Sequence, residues 1–150
     1  LLRGRRLTRA LNFGRTDDKR TPPMSNPAPG FAAHPDHAIS LHPSTDLVRV
    51  SLYDQPVAES RRTVILRESG YPDVHYLPRE DVDMERLTAS DHTTYCPFKG
   101  EASYWDIQVS DGEAEEAAWS YEAPFDEVAA LKGYIAFYAD RADLEIVEEG

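Results

Sequence analysis

Residues 103–121 read SYWDIQVSDGEAEEAAWSY, and this stretch decides the fold class. Ser103, Trp105, Ile107 and Val109 fall on one side of an alternating pattern, with Tyr104, Asp106 and Gln108 on the other. A period of two is the repeat of an extended strand with one buried face. Ser110-Asp111-Gly112 breaks the alternation with residues suited to a tight turn, and Glu115–Tyr121 supplies a return strand. The stretch is predicted to be a β-hairpin.

The same signals recur on both sides. Val48, Val50 and Leu52 alternate with Arg49 and Ser51, and Asp54-Gln55-Pro56 predicts a turn into Val57–Ser60. Thr63–Arg67 is β-branched and apolar and closes at Gly70, ahead of Tyr71-Pro72. Val74–Leu77 stops at Pro78, and Thr93–Cys96 stops at Pro97. Downstream, Pro124, the acidic pair Asp126 and Glu127, and Gly133 bracket a short helix over 125–132. Tyr134–Tyr138 reads as a final aromatic strand, followed from Asp143 by an acidic tail expected to be frayed or weakly helical. The expected fold is mainly β, a small single-domain antiparallel fold with one or two short helices. Its organisation is a basic extension at 1–23, an irregular Pro-rich lead-in at 24–45, the β-domain at 46–143 and the tail at 144–150.

Composition narrows the function classes. With 150 residues and 41% hydrophobic content the chain can bury a full core without a disulfide or structural metal. Cys96 is the single cysteine, so no internal disulfide or multi-cysteine zinc site can form. The net charge is −11, with residues 1–20 at +5 and the remainder at −16. Such a body repels nucleic-acid phosphates and anionic membranes. No apolar run approaches the ~20 residues of a membrane span, so neither nucleic acid nor membrane is an expected partner, and the expected location is cytoplasmic. The basic first residues fit either a targeting segment or an upstream extension ahead of Met24, and the second is favoured. His34, His37 and His42 cluster in the lead-in but match no zinc spacing, so neither a metal nor a cofactor is expected.

Reactive groups gather in residues 77–105. Cys96 is a possible nucleophile if Lys99, across the Pro97–Gly100 turn, lowers its pKa, with His92 as a base; the alternative is a small buried hydrophobe. Arg79, Glu80 and Asp81 either hold a tight corner by ion pairing or orient an anion, with Glu80 as the proton-transfer group. Asp81 and Asp83 sit two apart and could hold Mg²⁺, but no glycine-rich phosphate loop accompanies them. The aromatics, among them Tyr95, Tyr104, Trp105, Trp119, Tyr121, Tyr134, Phe137 and Tyr138, suffice to line a pocket. Trp105 and Phe137 read as core, whereas Tyr104 and Tyr138 sit where a face could turn to a ligand.

Four blocks carry a family resemblance. They are Pro78-Arg79-Glu80-Asp81-Val82, then Thr94-x-Cys96-Pro97-x-Lys99-Gly100-x-Ala102-x-Tyr104-Trp105, then Ala118-Trp119-x-Tyr121, and last Gly133-Tyr134-x-Ala136-Phe137-Tyr138. Ser60–Leu66 and Tyr71-Pro72 also fit. Over about residues 46–143 the chain resembles the domain-of-unknown-function family 427 (DUF427). The resemblance implies a small β-rich domain similar to tent-like folds of two sheets. Tent-like relatives often carry a zinc site of paired cysteines, which Cys96 alone does not supply. The family also bears a nucleotidyltransferase label, whose glycine-serine and paired-carboxylate elements are not both present here. The resemblance marks Arg79, Glu80, Asp81, Thr94, Cys96, Lys99, Tyr104 and Tyr138 as positions for a ligand.

Three functions follow as expectations. The first is a pocket near the PRED and TYCPFKG segments that binds, and could act on, a small anionic metabolite. There Arg79 and Lys99 supply charge, Glu80 a proton-transfer group and Cys96 a nucleophile, while Asp81, Thr94, Tyr104 and Tyr138 contact the ligand. The second is a non-catalytic interaction or assembly domain, for which a homodimer is a compatible state. The third is Mg²⁺-dependent nucleotide transfer.

Overall fold

The computed structural model describes residues 26–148, and the basic extension expected at 1–23 lies outside the described residues. After a single helical turn, α1 (Gly30–Ala33), come β1 (Ile39–Pro43), β2 (Leu47–Leu52), β3 (Gln55–Ser60), β4 (Val64–Glu68) and β5 (Val74–Tyr76). Then follow β6 (Leu87–Cys96), β7 (Gly100–Val109), β8 (Gly112–Tyr121), β9 (Ile135–Phe137) and β10 (Asp143–Val147). The fold is mainly β, as predicted. The strands form three antiparallel sheets, ordered β1-β4-β5, β10-β2-β3 and β6-β7-β8-β9, rather than two.

The hairpin at 103–121 forms as β7 and β8, with Ser110 and Asp111 at its turn. Trp105, Ile107 and Val109 face one apolar cluster, and Tyr104 packs against another. β2 buries Leu47, Val48, Val50 and Leu52 and exposes Arg49. Its turn is Tyr53-Asp54, both at positive φ (50° and 63°), so the reversal comes earlier than Asp54-Gln55-Pro56. Pro56 lies instead within β3, an edge strand at a register shift, where its missing N–H is tolerated.

Two expectations at the ends are corrected. The acidic tail is neither frayed nor helical through residue 147: β10 pairs with β2 from Asp143↔Ser51 to Val147↔Leu47. Acidic residues alternate there with Leu144 and Ile146, the strand period, and Leu144 packs on the core. The lead-in is not irregular throughout either. Pro35 precedes β1 and Pro43 ends it, so the prolines bound the strand, which pairs with β4. The short helix at 125–132 is a 3-10 segment, Asp126–Leu131, kinked at Val128. Two of its side chains, Val128 and Leu131, are fully buried.

One core cluster joins Val48, Val50 and Val57 to Ile107, Ala118, Ile135 and Phe137. The second joins Leu66 and Tyr76 to Ala102, Tyr121, Val128, Leu131 and Ala136. β9 shows why all of its residues are buried: Ile135 and Phe137 serve the first cluster and Ala136 the second. Mutual backbone bonds between Leu77 and Ile135 (2.8 and 2.9 Å) tie the chain after β5 to the four-stranded sheet. Among the described residues no helix is long and apolar enough to cross a membrane.

Candidate functional site

The turn between β6 and β7 sets the site. The Lys99 amide donates to the Cys96 carbonyl (3.2 Å), and Gly100 follows at φ 120°. A Cβ on Gly100 would lie 3.3 Å from the Ala123 carbonyl oxygen, so glycine serves both the backbone angle and the packing. The chain ahead of β1 straps this turn. The Gly30 amide donates to the Pro97 carbonyl (2.9 Å), Phe31 meets the Phe98 ring edge-on at 4.9 Å, and His37 stacks on it at 4.1 Å.

Strapping brings three ionisable side chains together. Lys99 Nζ donates to Glu68 Oε1 (2.5 Å), and His37 Nε2 lies 2.8 Å from Glu68 Oε2. The Glu68 side chain is 7% exposed, Lys99 13% and His37 17%, so little water screens the trio. The trio lines a cavity of about 660 Å³. Tyr76, Trp119, Tyr121 and Tyr138 also line it, with the exposed rings of Tyr71 and Tyr95. Trp119 Nε1 donates to the Tyr76 hydroxyl (3.1 Å), and the Trp119 and Tyr138 rings are 4.4 Å apart. Burial raises the Tyr76 and Tyr121 phenols above their ordinary value. Burial, with a hydrogen bond to Tyr104, pushes Tyr138 up to about 12. These phenols therefore remain protonated hydrogen-bonding groups at neutral pH.

Of the eight site residues read from the sequence, Cys96, Lys99, Tyr104 and Tyr138 line this cavity. Thr94 stands beside it, its hydroxyl 2.8 Å from that of Tyr104. Arg79, Glu80 and Asp81 are not among the lining residues; they form a 3-10 turn after β5. Arg79 donates to the Gly133 carbonyl (2.9 Å) and to Glu122 Oε2 (2.5 Å), and lies 5.3 Å over the Trp105 ring. Ser120 joins this knot by accepting from Trp105 Nε1 (3.0 Å) and donating to Glu122. Glu80 pairs with Arg62 at 3.6 Å, and Asp81 accepts from the Ser60 hydroxyl (2.7 Å) and Arg62 (3.0 Å). Burial alone would raise the Asp81 carboxyl, but those bonds and the Arg62 charge hold it below its ordinary value. Asp83 instead caps the next 3-10 turn, accepting from the Glu85 amide (3.2 Å). Among the described residues no three His, Cys, Asp or Glu side chains gather as a metal site. His92 lines a different cleft from Cys96.

Residues 40–148 match the family model described as "Domain of unknown function (DUF427)". The chain belongs to the DUF427 family. None of the curated proteins matches it. The DUF427 span takes in Glu68, Lys99 and nearly all of the cavity wall, but His37 and the strap from Gly30 precede it. Sequence reasoning does not mark Glu68, Tyr71 or Tyr76 as cavity residues, and it reads His37 as a solvated or locally packed imidazole in preference to a metal ligand. β1–β4 pairing and the strap bring His37 to Glu68, and no local motif marks such contacts.

Proposed function

We propose that this DUF427 domain binds a small organic molecule with a flat aromatic or otherwise apolar body in the cavity beside the Cys96–Lys99 turn. The observation that carries the reading is the lining of that cavity. The wall is mainly apolar, with the rings of Tyr76, Phe98, Trp119, Tyr121 and Phe137 among its parts, while its one buried ammonium is already matched by Glu68. Cavities of a few hundred Å³ with apolar walls and a few fixed polar groups are the usual form of small-molecule sites. The ring faces and the phenol hydroxyls of Tyr104 and Tyr138 supply the contacts.

Charge argues for a ligand of little net charge. Both cations expected to attract an anion hold carboxylates, Lys99 at Glu68 and Arg79 at Glu122. A purely anionic ligand would have to displace Glu68 and enter against the field of an acidic body. In this reading Arg79, Glu80 and Asp81 brace a corner. Cys96 lines the cavity and reports its occupancy, because it is the single thiol.

The test is a panel of small aromatic compounds, scored by melting temperature and by the rate at which iodoacetamide labels Cys96 in the folded protein. A binder should raise the first by mass action and slow the second. Compounds that raise the melting temperature without touching Cys96 labelling would place binding elsewhere. No effect on either would end the proposal.

A further inference from the structure

Tyr104 and Tyr138 also line a second, smaller cleft of about 260 Å³, together with His92, Glu116, Asp140 and Arg141. Two departures from strand register build it. β6 and β7 lose register between Ala89 and Thr93, and β7 and β8 between Trp105 and Ile107. Ala89 pairs with Trp105, so both irregularities fall on the same stretch of β7. Bulges re-aim side chains and terminate pairing, and they concentrate beside functional sites.

Here they aim polar groups at one place. Glu116 adopts φ 49°, a conformation that residues with a Cβ rarely take. Asp106 Oδ1 fixes its amide (2.8 Å), and its carboxylate accepts from Ser90 Oγ (3.1 Å) on the irregular part of β6. Arg141 gives one N–H to the Glu115 carbonyl (2.8 Å), leaving most of its donors for another acceptor. Among the described ion pairs none joins Arg141 to Glu116 or Asp140. Arg141, Glu116 and Asp140 therefore line one cleft with no direct ion pair between them.

From this we infer that the cleft binds the dipolar head of an α-amino-acid-like ligand. The ammonium lies against Glu116 and Asp140 and the carboxylate against Arg141. The aromatic side chain enters the larger cavity past the Tyr104–Tyr138 hydroxyl pair. A zwitterion carries both charges that the cleft presents and no net charge for the acidic body to repel. The inference rests on the larger cavity being a small-molecule site.

Four probes share one benzyl body: L-phenylalanine, phenethylamine, 3-phenylpropionate and 3-phenylpropanamide. Calorimetry gives their affinities, and Cys96 labelling reports entry into the larger cavity. L-phenylalanine should bind at least about tenfold more tightly than either singly charged probe, the worth of one charge-assisted hydrogen bond. Glu116→Gln and Arg141→Gln should each remove that preference and leave Cys96 protection by the amide unchanged. If either variant unfolds, Arg141→Met and Asp140→Asn serve in its place. Equal binding of all four overturns the cleft and leaves the cavity standing. Failure of all four at millimolar concentration to slow Cys96 labelling overturns the cavity reading as well.

Discussion

Glu68 holds Lys99 on one oxygen and His37 on the other, and all three side chains are largely shielded from water. Removing one member of such a group leaves a charge without its partner, which costs far more than the intact pair contributes. Glu68→Ala is therefore expected to lower stability by about 3 kcal/mol in urea titrations, and Glu68→Met combined with Lys99→Met by much less. Acid acts on two other side chains. Burial lowers the His75 pKa from its ordinary value of 6.5, so its neutral form is favoured in the fold. That contribution is complete above the unfolded value and is lost as pH falls below 6.5 towards the folded value. Asp81, also depressed, adds a second loss below the ordinary aspartate value. His75→Asn should flatten the first part of the stability curve and Asp81→Asn the second. Residue by residue, the sequence showed groups that share the Cys96–Lys99 turn or its strands. Glu68 stayed hidden because its partners come from different parts of the chain.

At the scale of elements, alternation made most strands visible, and the misses have specific causes. β10 was masked by its acidic residues and β1 by its flanking prolines, since both signals weigh against a strand when read locally. The two register shifts left no trace at all, because a bulge is a relation between strands. The β2–β3 turn has no glycine although both central residues have positive φ. Asp54→Gly should stabilise the protein by about 0.5–1 kcal/mol, seen as a higher melting temperature. Tyr53 is best left in place. Its ring packs where a Cβ on Gly112 would come within 2.6 Å, and the neighbouring Gln55 Oε1 accepts from the Ser110 amide (3.2 Å) and hydroxyl (3.0 Å). The tips of the two hairpins thus brace each other.

For the whole molecule, the dominant electrostatic fact is a net charge of −11 on 150 residues. Self-repulsion on that scale opposes compaction, while isolated surface ion pairs such as Arg67–Asp73 return little. Raising salt from about 0.01 M to about 0.15 M shortens the Debye length from about 30 Å to about 8 Å, so the melting temperature should rise. A fall would mean that attractive pairs outweigh the net repulsion. The pairing of β10 with β2 has a different kind of consequence. Val48 and Val50 belong to the first core, yet their neighbours Ile146 and Leu144 are among the last described residues to be synthesised. On a translating ribosome β2 must wait, with one edge unpaired, until β10 leaves the exit tunnel. Such non-local closure is slow and leaves the chain exposed to aggregation in the interval. A nascent chain stalled just before Asp143 is therefore expected to associate for longer with chaperones that hold open strand edges than one stalled well after Val147.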